Sequence, residues 1–231
     1  MPDAHAASHT APPRVALLAG STGLIGRALL QQLLASEAYG FVHALVRRPA
    51  PGLSADPGLS LRVVDFTALD AALPAADDVY IALGTTIKVA GSQEAFRRVD
   101  FDAVVNTARA ARAAGATRLA VVSALGANAA SRVFYNRVKG EMQQAVQALG
   151  YPTLVFAQPS LLIGDRKALG QPERAGERRA ERLLRPVMGL VPRGIRPIRA
   201  EVVARAMVRA ILAAPAGVHV LSSAAMQSTD S

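Results

Sequence analysis

The run Val15-Ala16-Leu17-Leu18-Ala19 passes straight into Gly20-Ser21-Thr22-Gly23-Leu24-Ile25-Gly26. A short apolar run of this kind reads as a buried strand, and Leu24 to Leu34 reads as the helix that follows it. A strand, a tight glycine turn and a helix N-terminus together make an anion site, because unpaired backbone N–H groups and the positive end of the helix dipole converge there. Gly20 takes the backbone angles of the turn, Gly23 lets the main chain approach a pyrophosphate, and Gly26 lets the helix pack close to the strand. The strand–turn–helix setting that the dinucleotide fingerprint requires is met. Gly20, Ser21, Thr22, Gly23, Leu24, Ile25 and Gly26 are therefore candidate cofactor-binding residues. The alternative is a glycine-rich turn with no ligand.

Strand-like and helix-like segments alternate beyond this point. Phe41–Val46, Leu61–Val64, Val79–Leu83, Leu119–Val122 and Thr153–Phe156 read as strands, with a last strand near Leu221. Ala95–Ala114, Phe134–Leu149 and Glu201–Ala213 carry helical spacing. The rhythm predicts an α/β fold with a doubly wound parallel sheet of the Rossmann kind and a short C-terminal substrate region. Residues 1–12 lack periodicity and read as a flexible tail, leaving 13–231 as one domain. The stretch 165–197, rich in Arg, Pro and Gly around a helix-like piece at Glu177–Leu184, reads as an excursion on the substrate side of the sheet.

Composition removes several chemistries. With no cysteine among 231 residues, disulfides, Cys-bound metal and thiol catalysis are excluded. His5, His9, His43 and His219 are scattered, so no metal site is expected. No apolar stretch is long enough to span a bilayer. Gly, Ser and Thr interrupt Val15–Leu30, and no Lys or Arg precedes it in residues 1–13, which favours a folded start over an export signal. The net charge of +9 admits nucleic acid or an anionic ligand, but the few aromatics are not interleaved with the basic residues. Arg on solvated helix faces is the plainer reading.

Strand two ends in Val46-Arg47-Arg48. An acidic side chain at this edge would accept from an adenosine 2′-hydroxyl, whereas an Arg fork suits a 2′-phosphate, so the expected cofactor is NADP. Solvated charge is the competing role for Arg47 and Arg48. Asp65, after strand three, is placed to meet the adenine amino group or to cap the turn that follows. Leu83, Gly84 and Thr85 close strand four, where Gly84 permits close passage of a ligand and hydroxyls can bond ribose or diphosphate. Tyr135 and Lys139 stand four apart on a helical segment and share a face. A phenol is a poor acid or base at neutral pH, and a nearby ammonium stabilises its anion, giving a group able to move a proton while hydride moves.

On Gly20–Gly26, Leu83-Gly84-Thr85-Thr86, Ala90-Gly91-Ser92 with Phe96, Val99-Asp100, Ser123, Gly126-Ala127, Ser131, Phe134-Tyr135, Lys139-Gly140-Glu141, Pro159, Leu161-Leu162 and Asp165-Arg166, the chain resembles an atypical short-chain dehydrogenase/reductase. More narrowly it resembles the Tat-interacting-protein oxidoreductase family and its bacterial nucleotide-sugar-epimerase-like relatives. The resemblance runs from about residue 14 to the last strand. It implies Tyr135, Lys139 and Ser123 as catalytic residues, with Lys139 also on the nicotinamide ribose. Ser123 would orient the substrate carbonyl, but the next residue, where relatives often carry a second Ser, is Ala124, and Ser131 is the other candidate. Pro159 would mark the backbone that touches the nicotinamide amide. In the Arg-rich excursion, Arg178, Arg182 and Arg185 share a face that binds an acidic group or is simply solvated.

The leading expectation is an NADP-dependent oxidoreductase moving hydride to or from a small carbonyl or alcohol. A non-catalytic NADPH-sensing protein and an epimerase-like enzyme are the alternatives. A small-molecule substrate, no nucleic acid, no membrane, a monomer or homodimer and a cytoplasmic location complete the expectations.

Overall fold

The computed structural model describes residues 12–53, 56–69, 73–163, 192 and 194–228. The chain runs β1 (Arg14–Ala19), α1 (Leu24–Leu34), β2 (Tyr39–Val46), β3 (Leu59–Val63), β4 (Asp78–Ile81), α2 (Ile87–Ala90) and α3 (Gln93–Arg97). It continues through a π-helical turn (Arg98–Ala103), α4 (Val104–Ala113), β5 (Arg118–Val122), α5 (Phe134–Gln147), β6 (Thr153–Gln158) and β7 (Leu162–Ile163). β8 (Ile198–Arg199), α6 (Ala200–Ala213), β9 (Gly217–Ser222) and α7 (Ser223–Ser228) complete it.

Seven strands pair in the order β3-β2-β1-β4-β5-β6-β9, all parallel. The winding starts at β1, goes outward to β3, then returns to β4 on the other side of β1. That reversal opens a crevice at the carboxyl ends of β1 and β4, the place where such sheets bind ligands. The expected Rossmann-like α/β fold is the one observed.

Strand side chains alternate between two cores. Ala16, Leu18, Tyr80, Ala120 and Val155 meet α1 and α6 through Leu29, Leu33, Val203, Met207 and Ile211. Leu17, Val79, Ile81, Val121 and Phe156 meet α4 and α5 through Val104, Ala108, Met142 and Val146. Covered on both faces, the central strands β1, β4, β5 and β6 read as continuous apolar runs rather than alternating ones. At the opposite, amino edge, Arg14 donates to Asp78 at 2.7 Å, Tyr39 donates to the same carboxylate at 2.7 Å, and the Tyr39 and Tyr80 hydroxyls lie 2.7 Å apart. Burial pushes the Asp78 carboxyl and both phenols upward.

The structure departs from expectation in three places. The single helix read over Ala95–Ala114 is α3, a π turn and α4. β4 ends at Ile81 rather than Leu83, so Leu83 belongs to the loop. A small parallel pair, β7 with β8, joins the two ends of the excursion. The tail at 1–11, most of the excursion, its helix-like piece and its arginines (Arg166, Arg174, Arg178, Arg179, Arg182 and Arg185) lie outside the described residues.

Candidate functional site

The glycine turn has the form its spacing requires. Gly20 has φ +94, and a Cβ there would lie 2.6 Å from the Ala82 carbonyl oxygen, because the turn crosses directly over the end of β4. A Cβ on Gly26 would lie 1.8 Å from the Gly20 oxygen, so only glycine lets α1 start this close to β1. Gly23 is different: an added Cβ would meet nothing nearer than 3.5 Å. It stands at the N-cap of α1, where no side chain caps the helix and the first turn holds no acidic residue. Ser21 is fully buried, and its Oγ has no hydrogen-bond partner. An open, uncapped helix start beside an orphaned hydroxyl fits a diphosphate, which accepts from both kinds of donor. Thr22 is exposed, Leu24 is half-buried and Ile25 is turned into the core.

Beyond β2, Arg47 and Arg48 are both exposed. Asp65 is exposed too, and it caps a turn: its Oδ1 accepts from the Thr67 N–H at 2.8 Å and from the Thr67 hydroxyl at 2.7 Å. Those bonds hold its carboxyl below the usual aspartate range.

On the other side of the crevice a buried ion pair dominates. Lys139 Nζ lies 2.7 Å from Asp100 Oδ1, with the two side chains 3% and 1% exposed. The other Asp100 oxygen accepts from the Thr85 N–H at 2.8 Å. A Cβ on Gly84 would sit 3.3 Å from Asp100 Oδ1 and 3.9 Å from Lys139 Nζ. Lys139 thus faces a carboxylate, a partner that its spacing from Tyr135 does not announce. Asp100 reaches it from the π turn, a widened helical turn of the kind that re-aims side chains at functional sites. Tyr135 is half-buried, its ring 5.4 Å from the buried ring of Phe96, and among the described residues no hydrogen bond engages its hydroxyl.

The Ser123 hydroxyl is not left open. Ser123 is buried, and Gln143 Nε2 donates to its Oγ at 2.6 Å. Tyr135, Lys139 and Gln143 follow at helical spacing along one face of α5, so this contact extends the face that carries Tyr135 and Lys139. Ser131 accepts from the Val133 N–H at 3.1 Å and shapes the entry to α5. Pro159 is buried, and its carbonyl accepts from the Leu125 N–H at 3.0 Å, which ties the loops after β5 and β6 together.

Asp100, Gln143 and Phe96 are the members that sequence reasoning left without a role. Val99-Asp100 and Phe96 stand in the resemblance, but nothing local says that they meet α5. Gln143 carried one legible signal, its i, i+4 spacing from Lys139. Among the described residues no group of His, Asp and Glu could hold a metal, and no helix is long and apolar enough to cross a membrane.

The family model described as NAD(P)H-binding matches residues 20–151. The protein named fmp52, mitochondrial, of Aspergillus fumigatus is 36% identical over 207 residues, covering 85% of this chain and 86% of its own length. Among solved structures, MoeE5 in complex with UDP-glucose and NAD has a TM-score of 0.67 at 18% identity, covering 89% of this chain and 74% of that one. An oxidoreductase of the short-chain dehydrogenase/reductase family from Burkholderia thailandensis has a TM-score of 0.65 at 17% identity, covering 94% of each chain. Likeness at these identities bears on the fold alone. The named relatives are FMP52 proteins rather than Tat-interacting-protein ones, so the narrower resemblance is replaced. The cytoplasmic expectation is overturned, because those relatives are named mitochondrial. A cysteine-free composition excludes disulfide chemistry in any compartment and therefore carries no address.

Proposed function

We propose, from the premise that this chain belongs to the NAD(P)H-binding family and is a relative of the FMP52 proteins, that it is an NADP-dependent oxidoreductase of the short-chain type acting on a small carbonyl or alcohol. One observation carries this reading. The glycine turn, the loop after β4 and the Lys139–Asp100 pair are contiguous: Gly20 rests on Ala82, and Gly84 borders Lys139 Nζ.

A bound nicotinamide dinucleotide supplies the hydride donor or acceptor. The chain's own groups do the rest. The N–H groups of the first turn of α1 and the Ser21 hydroxyl hold the diphosphate, with Gly20, Thr22, Gly23, Leu24, Ile25 and Gly26 shaping the turn. Arg47 and Arg48 take the 2′-phosphate through charge-assisted hydrogen bonds. Asp65 borders the adenine, Leu83, Gly84 and Thr85 line the ribose, and the backbone at Pro159 meets the nicotinamide amide. Asp100 holds Lys139 in place, leaving the ammonium further N–H donors for the ribose hydroxyls. Tyr135 gives its phenolic proton to the carbonyl oxygen in reduction and recovers it from solvent. Ser123 or Ser131 bonds that same oxygen.

A second reading, an NADPH-sensing protein without turnover, is favoured by the Gln143–Ser123 bond and by Ala124 at the next position. Thermal-shift titration with NADPH and NADH, followed by turnover assays on Tyr135→Phe, separates the possibilities. The enzyme reading expects greater stabilisation by NADPH, and a variant that binds it normally while turnover falls by at least about 100-fold. Stronger stabilisation by NADH removes the argument from Arg47 and Arg48. Turnover unchanged in Tyr135→Phe removes the phenol from the chemistry.

A further inference from the structure

Five exposed apolar side chains follow β4, β5 and β6: Val89, Leu125, Val133, Leu161 and Ile195, each between 42% and 64% exposed. Because the whole sheet is parallel, the segments that follow these strands emerge at one edge, the edge at which Lys139 and Tyr135 stand. Singly exposed leucines and valines are ordinary on a protein surface. Five of them gathered around one end of a sheet are not, because a chain that needs solubility places polar groups there unless something apolar covers them.

The main chain makes four of the five a connected ledge. The Leu125 N–H donates to the Pro159 carbonyl at 3.0 Å, and the Ile198 N–H donates to the Leu161 carbonyl at 2.9 Å, so the loops carrying Leu125, Leu161 and Ile195 are bound side by side. Val133 is the N-cap of α5, next to the turn that bears Tyr135. Several polar groups of these loops are engaged within the protein. Asn128 Oδ1 accepts from the Ala130 N–H at 2.9 Å, and Ser131 Oγ accepts from the Val133 N–H. Ser160 Oγ donates to the Arg196 carbonyl and accepts from Ser223 Oγ at 2.9 Å. What the side chains of Leu125, Val133, Leu161 and Ile195 offer a ligand is hydrocarbon.

From this arrangement, and resting on the redox reading above, we infer that the substrate is an apolar carbonyl compound, an aldehyde or ketone whose hydrocarbon arm lies across Leu125, Val133, Leu161 and Ile195. Those four side chains are a poor match for a polyhydroxylated sugar, whose hydroxyls would lose water against them and gain no hydrogen bond from them.

The test uses the full chain with NADPH and a straight-chain series of butanal, hexanal, octanal and decanal, with glycolaldehyde as the hydroxylated comparison. NADPH binding is measured first, by the fluorescence of the bound nucleotide. For the wild type, kcat/KM is expected to rise by about two- to fourfold per added methylene, since each methylene taken from water favours binding by roughly that factor. In Leu125→Ser and Leu161→Ser the rise flattens, while NADPH binding stays at the wild-type level. Failure to bind NADPH, or binding without turnover of any carbonyl offered, overturns the redox reading and the inference with it. Turnover with a flat profile, with glycolaldehyde preferred, or with an unchanged slope in both variants overturns the inference alone.

Discussion

The carboxylate of Asp100 and the ammonium of Lys139 are buried together, and that decides how both respond to substitution. Two charges taken out of water repay their desolvation only through each other, so removal of one strands the other. Asp100→Ala is expected to lower the unfolding free energy by about 3–5 kcal/mol, read from the urea midpoint. The double variant Asp100→Asn with Lys139→Met should recover most of that loss, because no unpaired charge remains and the amide oxygen still accepts from the Thr85 N–H. A cost below about 1 kcal/mol for Asp100→Ala would mean that water reaches the pair, as at a surface ion pair. At the residue scale the sequence was a partial guide. Tyr135 and Lys139 stand out through spacing on one helix, while Asp100 stands in the resemblance with no evident partner. The contact that gives it meaning joins two helices.

At the scale of elements, α5 shows how a local rule yields to packing. Gly140 sits inside the helix, where glycine costs about 1 kcal/mol relative to alanine. The loop after β5 crosses the helix at that point: a Cβ would fall 2.1 Å from the Ala129 nitrogen and 2.2 Å from the Asn128 carbonyl carbon. The loop is held there by the Asn128 N–H, which donates to the Asn136 carbonyl at 3.0 Å. Gly140→Ala should therefore destabilise the protein by about 1–3 kcal/mol despite its better helix propensity, as overpacked sites do. Thermal unfolding of the variant checks this, and a raised Tm would show that the loop gives way at no cost. The α3–α4 region teaches the same lesson. Its helical spacing is continuous in sequence, so nothing local marks the π turn that carries Asp100 inward. Phe96, packed 5.9 Å from Phe134 and 5.4 Å from Tyr135, and the Arg97–Glu141 ion pair lock that region onto α5.

For the whole molecule, pH adds a test of how the sheet is buried. Burial, aided by the nearby Arg62 guanidinium, pushes the His43 imidazole below its ordinary value, so the folded protein keeps the ring neutral. The unfolded chain takes up a proton near pH 6.5, whereas the folded one resists until lower pH. The stability associated with His43 is thus fully present above about pH 6.5 and is lost as pH falls from there through the folded value. Urea midpoints followed downward from neutral pH should fall more steeply for the wild type than for His43→Gln, and parallel curves would place the ring in water. The sequence alone determined the strand–turn–helix start, the alternation of strands and helices, and the parallel Rossmann-like sheet that follows from it, because these rest on periodicity and on glycines within a few residues of one another. Only the tertiary structure decided that Lys139 faces Asp100, that Gln143 holds Ser123, that Asp65 caps its own turn and that the apolar side chains after β4, β5 and β6 share one edge. Apart from the Asp65 turn, these are meetings of residues distant along the chain, and chain folding rather than residue spacing sets the distances between them.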